Sequence, residues 1–177
     1  MKKIHTNFLE PSQQQLNNLI KHYQAGRYID AEKLSLSITQ EFPKHQFGWK
    51  ILGAVLLKLG KKNESLHICQ KSLQLAPNDS EAHNNLGVIL HQLDRLSEAE
   101  ASFRQAISLK FDYAEAHNKL GVILHQLDRL SEAEESFRQA VTLKPDLAVA
   151  YYNLGNSLKE QGKLKEAEAS FRQAITL

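Results

Sequence analysis

The sequence predicts an all-α fold, a solenoid of about five antiparallel helix pairs, each built from 34 residues. Three observations predict it. Residues 83–110 recur as 117–144 with four changes in 28 positions: Asn85 to Lys119, Ala101 to Glu135, Ile107 to Val141 and Ser108 to Thr142. The same 34-residue offset carries one glycine per unit at a fixed phase: Gly53, Gly87, Gly121 and Gly155. Apolar residues within each unit recur at helical spacing, as in Leu86, Ile89, Leu90 and Leu93. A fixed period of this length marks stacked repeats, each burying its apolar face against the next.

Numbered so that the periodic glycine is position 8, the repeats are 12–45, 46–79, 80–113, 114–147 and the incomplete 148–177. Residues 1–11 are expected to precede the array as a disordered segment. Position 15 holds Gly26, Gly60, Asp94, Asp128 and Gly162, residue types that tolerate the turn ending one helix and aiming the next. Ser97-Glu98-Ala99-Glu100 and its copy at 131–134 read as a Ser-x-x-Glu capping box opening the second helix. That helix is expected to close before Pro43, Pro77 and Pro145, since the residue preceding proline disfavours the helical region. Phe111 replaces proline in the third repeat, which predicts a different junction there.

A glycine inside a helix costs about 1 kcal/mol relative to alanine, so position 8 needs a packing reason. Position 20 on the facing helix is small (Ala31, Ser65, Ala99, Ala133, Ala167). Small residues at both places let the backbones approach, with position 24 (Cys69, Phe103, Phe137, Phe171) closing the gap. Position 27 is small again at Ala106, Ala140 and Ala174, where the next repeat docks.

Bulk properties exclude several functions. A net charge of +2 provides no basic field for nucleic acid. No apolar run approaches the roughly 18–20 residues that span a bilayer, and the start lacks the apolar core of a secretory signal. One cysteine, Cys69, makes no internal disulfide and fits a reducing compartment, with the cytoplasm as the expected location.

The pattern Leu86-Gly87, Ala99, Phe103, Ala106, its counterpart Leu154-Gly155, Ala167, Phe171, Ala174, and Pro77 and Pro145 near repeat ends resemble the tetratricopeptide repeat. The resemblance covers about residues 12–177 and is weakest in the first repeat, where Leu19 replaces the glycine, Asn18 the preceding leucine and Ser35 the aromatic. It implies a right-handed superhelical solenoid and a protein-binding scaffold rather than an enzyme. The repeat wording is similar to arrays joined to O-linked N-acetylglucosamine transferases and related bacterial proteins, although no catalytic domain is present in this sequence. A substrate-docking arm of a larger transferase is therefore an alternative role.

In that family, first helices line an inner concave wall, which implies a peptide-binding groove. From the third repeat it would take Glu81, Asn84, Asn85, Val88, His91 and Gln92. The fourth would contribute Asn118, Lys119, Val122, His125 and Gln126, and the fifth Tyr152, Asn153, Asn156 and Lys159. Lys50 would come from the second. Asparagine offers a donor and an acceptor, so an amide-rich wall can hold the backbone of an extended peptide whatever its sequence. Asn85 and Asn153, interrupted by Lys119, resemble a broken form of the transferase arrays' asparagine ladder. Family members that bind chaperones grip a terminal carboxylate with Lys and Asn. Lys50, Asn85 and Lys119 match three of those positions, but Ala54 and Glu115 depart at two.

The eight histidines do not make a metal site. His83 and His91 are eight apart, whereas two imidazoles of one helix meet a metal at i, i+4. No nucleophile–base signature or phosphate loop is present, and no cofactor is implied. Leu158, Phe171 and Ala174 are expected to form an uncapped terminal face, through which an excised fragment of a longer array, or a self-associating molecule, would bury apolar surface.

Overall fold

The computed structural model describes residues 10–177, so the expected disordered segment lies, but for Glu10 and a buried Pro11, outside the described residues. Ten α-helices and no strand are found among them. They divide into two compact units, the first ending at Pro77 and the second running Asn78–Leu177.

The first unit holds α1 (Gln13–Gln24), α2 (Tyr28–Glu41), α3 (Gln46–Lys58) and α4 (Lys62–Leu75). Its helices pack in chain order, α1 on α2, α2 on α3 and α3 on α4. Leu19, Ala31, Ile38, Phe42 and Val55 form its core, with Leu16, Tyr23, Leu34 and Ile51 packed around them. A capping box does occur here: Ser12 accepts from the Gln15 backbone N–H while the Gln15 side chain accepts from the Ser12 N–H.

The second unit holds α5 (Ser80–Gln92), α6 (Leu96–Leu109), α7 (Ala114–Gln126), α8 (Leu130–Leu143), α9 (Ala148–Glu160) and α10 (Leu164–Thr176). Partners α5/α6, α7/α8 and α9/α10 pack as pairs, and α6 on α7 and α8 on α9 join successive pairs. The expected breaks appear as left-handed residues: Gly26, Gly60 and Gly162 at φ 70°, 78° and 75°, and Asp94 and Asp128 at 59°. Aspartate is among the few non-glycine residues that adopt this conformation routinely.

Volume matching between positions 8 and 24 sets each helix pair. A Cβ on Gly87, Gly121 or Gly155 would lie 2.6–2.7 Å from the ring of Phe103, Phe137 or Phe171. No real Cβ sits that close, so the glycine is required by the aromatic opposite. In the second repeat Cys69 replaces the ring, and a Cβ on Gly53 would meet the Cys69 backbone nitrogen at 3.6 Å and its Cβ at 3.7 Å, ordinary contacts. The first repeat inverts the pair. Leu19 stands at position 8 and Ser35 at position 24, both wholly buried, with the Ser35 hydroxyl donating to the Ala31 carbonyl at 2.7 Å.

Two expectations about helix ends are corrected. Ser97 and Ser131 do not cap α6 and α8; each is the second helical residue, and the N-caps are Arg95 and Arg129. The caps make no side-chain bond to the helix backbone. Their guanidinium groups instead grip the carboxylate three residues on, Arg95 on Glu98 at 2.7 and 2.6 Å and Arg129 on Glu132 at the same distances. The backbone entering the third junction also does not differ, although His117 Nε2 lies 3.2 Å from the Phe111 carbonyl there. Lys110, before Phe111, has φ −144° and ψ 92°, close to −139° and 85° for Lys144 before Pro145. Phe111 is 82 % exposed. Phe111→Pro is therefore expected to raise stability by about 0.4–1 kcal/mol by restricting the unfolded chain, checked by urea unfolding.

The terminal face is corrected at one residue. Leu158 is wholly buried, as are its counterparts Leu90 and Leu124. Phe171 and Ala174 are half-buried, whereas Phe137 and Ala140 are buried. The Phe171 ring rests against Tyr152, with centroids 5.8 Å apart.

Candidate groove on the first helices of the second unit

Helices α5, α7 and α9 place their predicted residues on one wall because helical periodicity sends positions 5, 9 and 12 to the same side. The wall is most developed between α7 and α9. Val122, His125 and Gln126 of α7 meet Asn153 and Asn156 of α9 over the edge of the Phe137 ring, lining a cleft of about 170 Å³. Five residues predicted from different repeats thus share one cleft.

Behind it, the Asn153 side-chain amide donates to the Asn118 carbonyl oxygen at 3.0 Å. Asn118 is 7 % exposed, so this bond satisfies a buried acceptor and orients Asn153 at the cleft. His125 Nε2 lies 3.1 Å from the Glu160 carboxylate, a close approach without the alignment of a hydrogen bond. Asn84 repeats the position of Asn118, but its buried side-chain oxygen has no hydrogen-bond partner among the described residues. Where Asn153 stands in the next repeat, this level has Lys119. Lys119→Asn is expected to supply the missing donor and to raise stability by about 1 kcal/mol, measured by urea unfolding.

The remaining predicted residues are distributed more loosely. Asn85, Val88 and His91 are half-buried on α5, while Glu81, Gln92, Lys119 and Lys159 are exposed. Tyr152 is 55 % exposed but committed to Phe171. Lys50 belongs to the first unit, where its ammonium lies 5.7 Å from the Phe47 ring centre. Glu115 bonds Lys144 at 2.8 Å, and that bond holds its carboxyl below the usual carboxylate range. It is thereby a fixed negative group on α7.

Sequence reasoning missed an ion-pair lattice on the second helices. Arg129 bridges Glu132 and Glu100, and Arg104 bridges Glu100 and Glu132 from the other side. One repeat on, Glu134 takes Lys163 at 2.7 Å and Arg138 at 2.9 Å, with Gln161 at 2.9 Å. Burial works to raise the Glu134 pKa, but bonds from Lys163, Arg138 and Gln161 outweigh it and leave it lowered. Glu100 and Glu134 thus join successive repeats. The signal was present in the recurring basic residue at position 16 and glutamate at position 21.

Four tetratricopeptide-repeat family models match, over residues 51–79, 68–101, 89–128 and 112–177. The chain is a tetratricopeptide-repeat protein. None of the four reaches the first repeat, whose Leu19/Ser35 pair inverts the usual glycine and aromatic. No curated protein matches the sequence. Among solved structures, one of MamA is 24 % identical with a TM-score of 0.79, covering 88 % of this chain and 91 % of that one. A MamA segment, residue 41 to the end, from Desulfovibrio magneticus RS-1 is 19 % identical with a TM-score of 0.81, covering 93 % of each. The Pseudomonas aeruginosa pilF structure is 16 % identical with a TM-score of 0.85, covering 92 % of this chain and 74 % of that one. At these identities the likeness establishes the tetratricopeptide-repeat fold. That fold makes the chain a protein-interaction scaffold. No helix among the described residues is long and apolar enough to cross a membrane.

Proposed function

We propose that this tetratricopeptide-repeat protein is a non-catalytic scaffold that binds an extended peptide along the first helices of its second unit, centred on the cleft between α7 and α9. The observation that carries this reading is the Asn118–Asn153 amide pair beside that cleft. Asn153 has its amide committed and its carbonyl oxygen available to a ligand N–H, while Asn156 brings a second amide to the same cleft. Two side-chain amides facing an extended backbone give affinity with little sequence selectivity, and Val122 adds apolar contact for one ligand side chain.

The test is selection of binders from a random-peptide display library, followed by Asn153→Ala with Asn156→Ala. Each lost hydrogen bond is worth about 1 kcal/mol, so the pair is expected to weaken binding at least about ten-fold. Glu132→Gln, on the second helices, is expected to leave it unchanged. Equal affinity in the asparagine variant contradicts the assignment.

A second reading, association of copies through α10, is favoured by the exposure of Leu164 at 64 % and Ile175 at 84 %. Light scattering across a concentration series decides it, a constant monomer mass counting against it.

A further inference from the structure

The second helices carry an arginine strap in the second unit that the first unit lacks. Arg104 of α6 reaches Glu132 of α8 at 3.2 Å, and Arg138 of α8 reaches Glu166 of α10 at 2.6 Å. Each arginine, at position 25 of its repeat, crosses to the position-19 glutamate of the next. Beneath the Arg104 strap lies a cleft with Leu120 and Leu124 in its lining, so the arginine stem covers apolar surface while its head is paired.

In the first unit the same places hold Leu36 and Glu64. The cleft between α2 and α4 is larger, about 490 Å³, and is lined by Leu36, Leu52, Leu56 and Ile68 with Glu64 and His67 at its edge. Leu36 is 41 % exposed. Glu32, the other carboxylate there, is held by Lys61 at 2.6 Å. Glu64 stands outside the ion pairs found among the described residues, although Lys61 acts on it through space. The site is therefore an apolar trough with one carboxylate outside any ion pair, missing the arginine that the cleft under Arg104 contains.

We propose that this trough is a second interaction surface, which binds a partner-protein segment presenting an arginine next to an aliphatic residue. The arginine takes in trans the place that Arg104 takes in cis, its planar fork on the Glu64 carboxylate and its stem along Leu36 and Ile68. The aliphatic neighbour enters the trough above Leu52 and Leu56. Leucine at position 36, rather than an arginine, gives the incoming stem an apolar surface and leaves the Glu64 carboxylate without a guanidinium from α2. The surface lies between the second helices of the first unit, with α3 as its floor, and stands independently of the groove on α7 and α9.

The experiment uses the full chain, ¹⁵N-labelled, titrated with the blocked dipeptide N-acetyl-leucyl-arginine amide and, as control, N-acetyl-leucyl-glutamate amide. The expected result is a saturable amide-shift change centred on Leu36, Glu64 and Ile68 with the arginine peptide only. Glu64→Gln is expected to weaken it at least five-fold. Leu36→Arg, which restores the strap found in the second unit, is expected to abolish it while the helical circular dichroism stays unchanged. The proposal is overturned by equal binding of the glutamate peptide, by shifts centred elsewhere or absent, or by unaltered affinity in either variant. Asn153→Ala, on the α9 wall, is expected to leave this titration unchanged, which separates failure of this site from failure of the groove.

Discussion

Gly121→Leu is expected to destabilise the protein by at least about 3 kcal/mol, and adding Phe137→Ser to the same chain is expected to recover most of that loss. The Cβ alone would stand 2.6 Å from a Phe137 ring that is only 1 % exposed. The ring has to leave its place or the helices have to part. Overpacking of a tight core costs about 1–3 kcal/mol, and a whole leucine side chain in ring volume lies at or beyond the top of that range. The double variant copies the Leu19/Ser35 pair that the first repeat already uses. Urea unfolding of the single and double variants gives the coupling between the two positions, which is expected to be large and favourable. Simple addition of the two single losses contradicts the volume-matching account.

Alanine at position 8 is expected to change sign along the chain. Leu19→Ala removes a wholly buried side chain opposite a serine, leaving a cavity that nothing nearby fills, and is expected to cost about 3–4 kcal/mol. Gly53→Ala places a methyl group 3.6 Å from Cys69, an ordinary contact, and removes a mid-helix glycine. It is expected to stabilise by about 0.5–1 kcal/mol. Both are read by urea unfolding. A loss on Gly53→Ala as large as that on Leu19→Ala would mean that the glycines serve close backbone approach alone, with the position-24 side chain irrelevant.

These contrasts show what the sequence did and did not carry. Periodicity located the helix pairs and the turn residues because the physical requirement repeats every 34 residues in one residue type. Asp94 and Asp128 were as legible as the glycines, since both types reach the left-handed turn. The first repeat looked weak because the sequence shows residue types, whereas in that repeat the bulk sits at position 8, on Leu19, and the small residue at position 24, on Ser35. The capping assignment failed for a local reason. Ser97 to Glu100 has the spacing of a capping box, but the helix starts two residues earlier than that box requires, and Arg95 uses Glu98 through its own side chain. The junction at Phe111 was misjudged because the conformation before a proline is also an ordinary extended one, which Lys110 adopts without it.

The candidate groove was legible as a set of positions but not as a site. Periodicity assigned Asn118 and Asn153 to the same wall, yet only coordinates showed one orienting the other at 3.0 Å. Lys119 was read as an interruption of an asparagine ladder; the structure adds that it leaves the buried oxygen of Asn84 without a partner among the described residues. The strap arginines were invisible as a device because their partners lie 28 residues away on another helix. Only the comparison of Arg104 with Leu36 exposed the unit that lacks one.

The measurement that most directly tests the reading of this scaffold is an amide-shift map of the ¹⁵N-labelled chain bound to a library-selected peptide. The account predicts changes centred on Val122, His125, Asn153 and Asn156, with the side-chain amide resonances of Asn118 and Asn153 moving together. Changes confined to the second helices, around Arg104, Glu132 and Arg138, would contradict it.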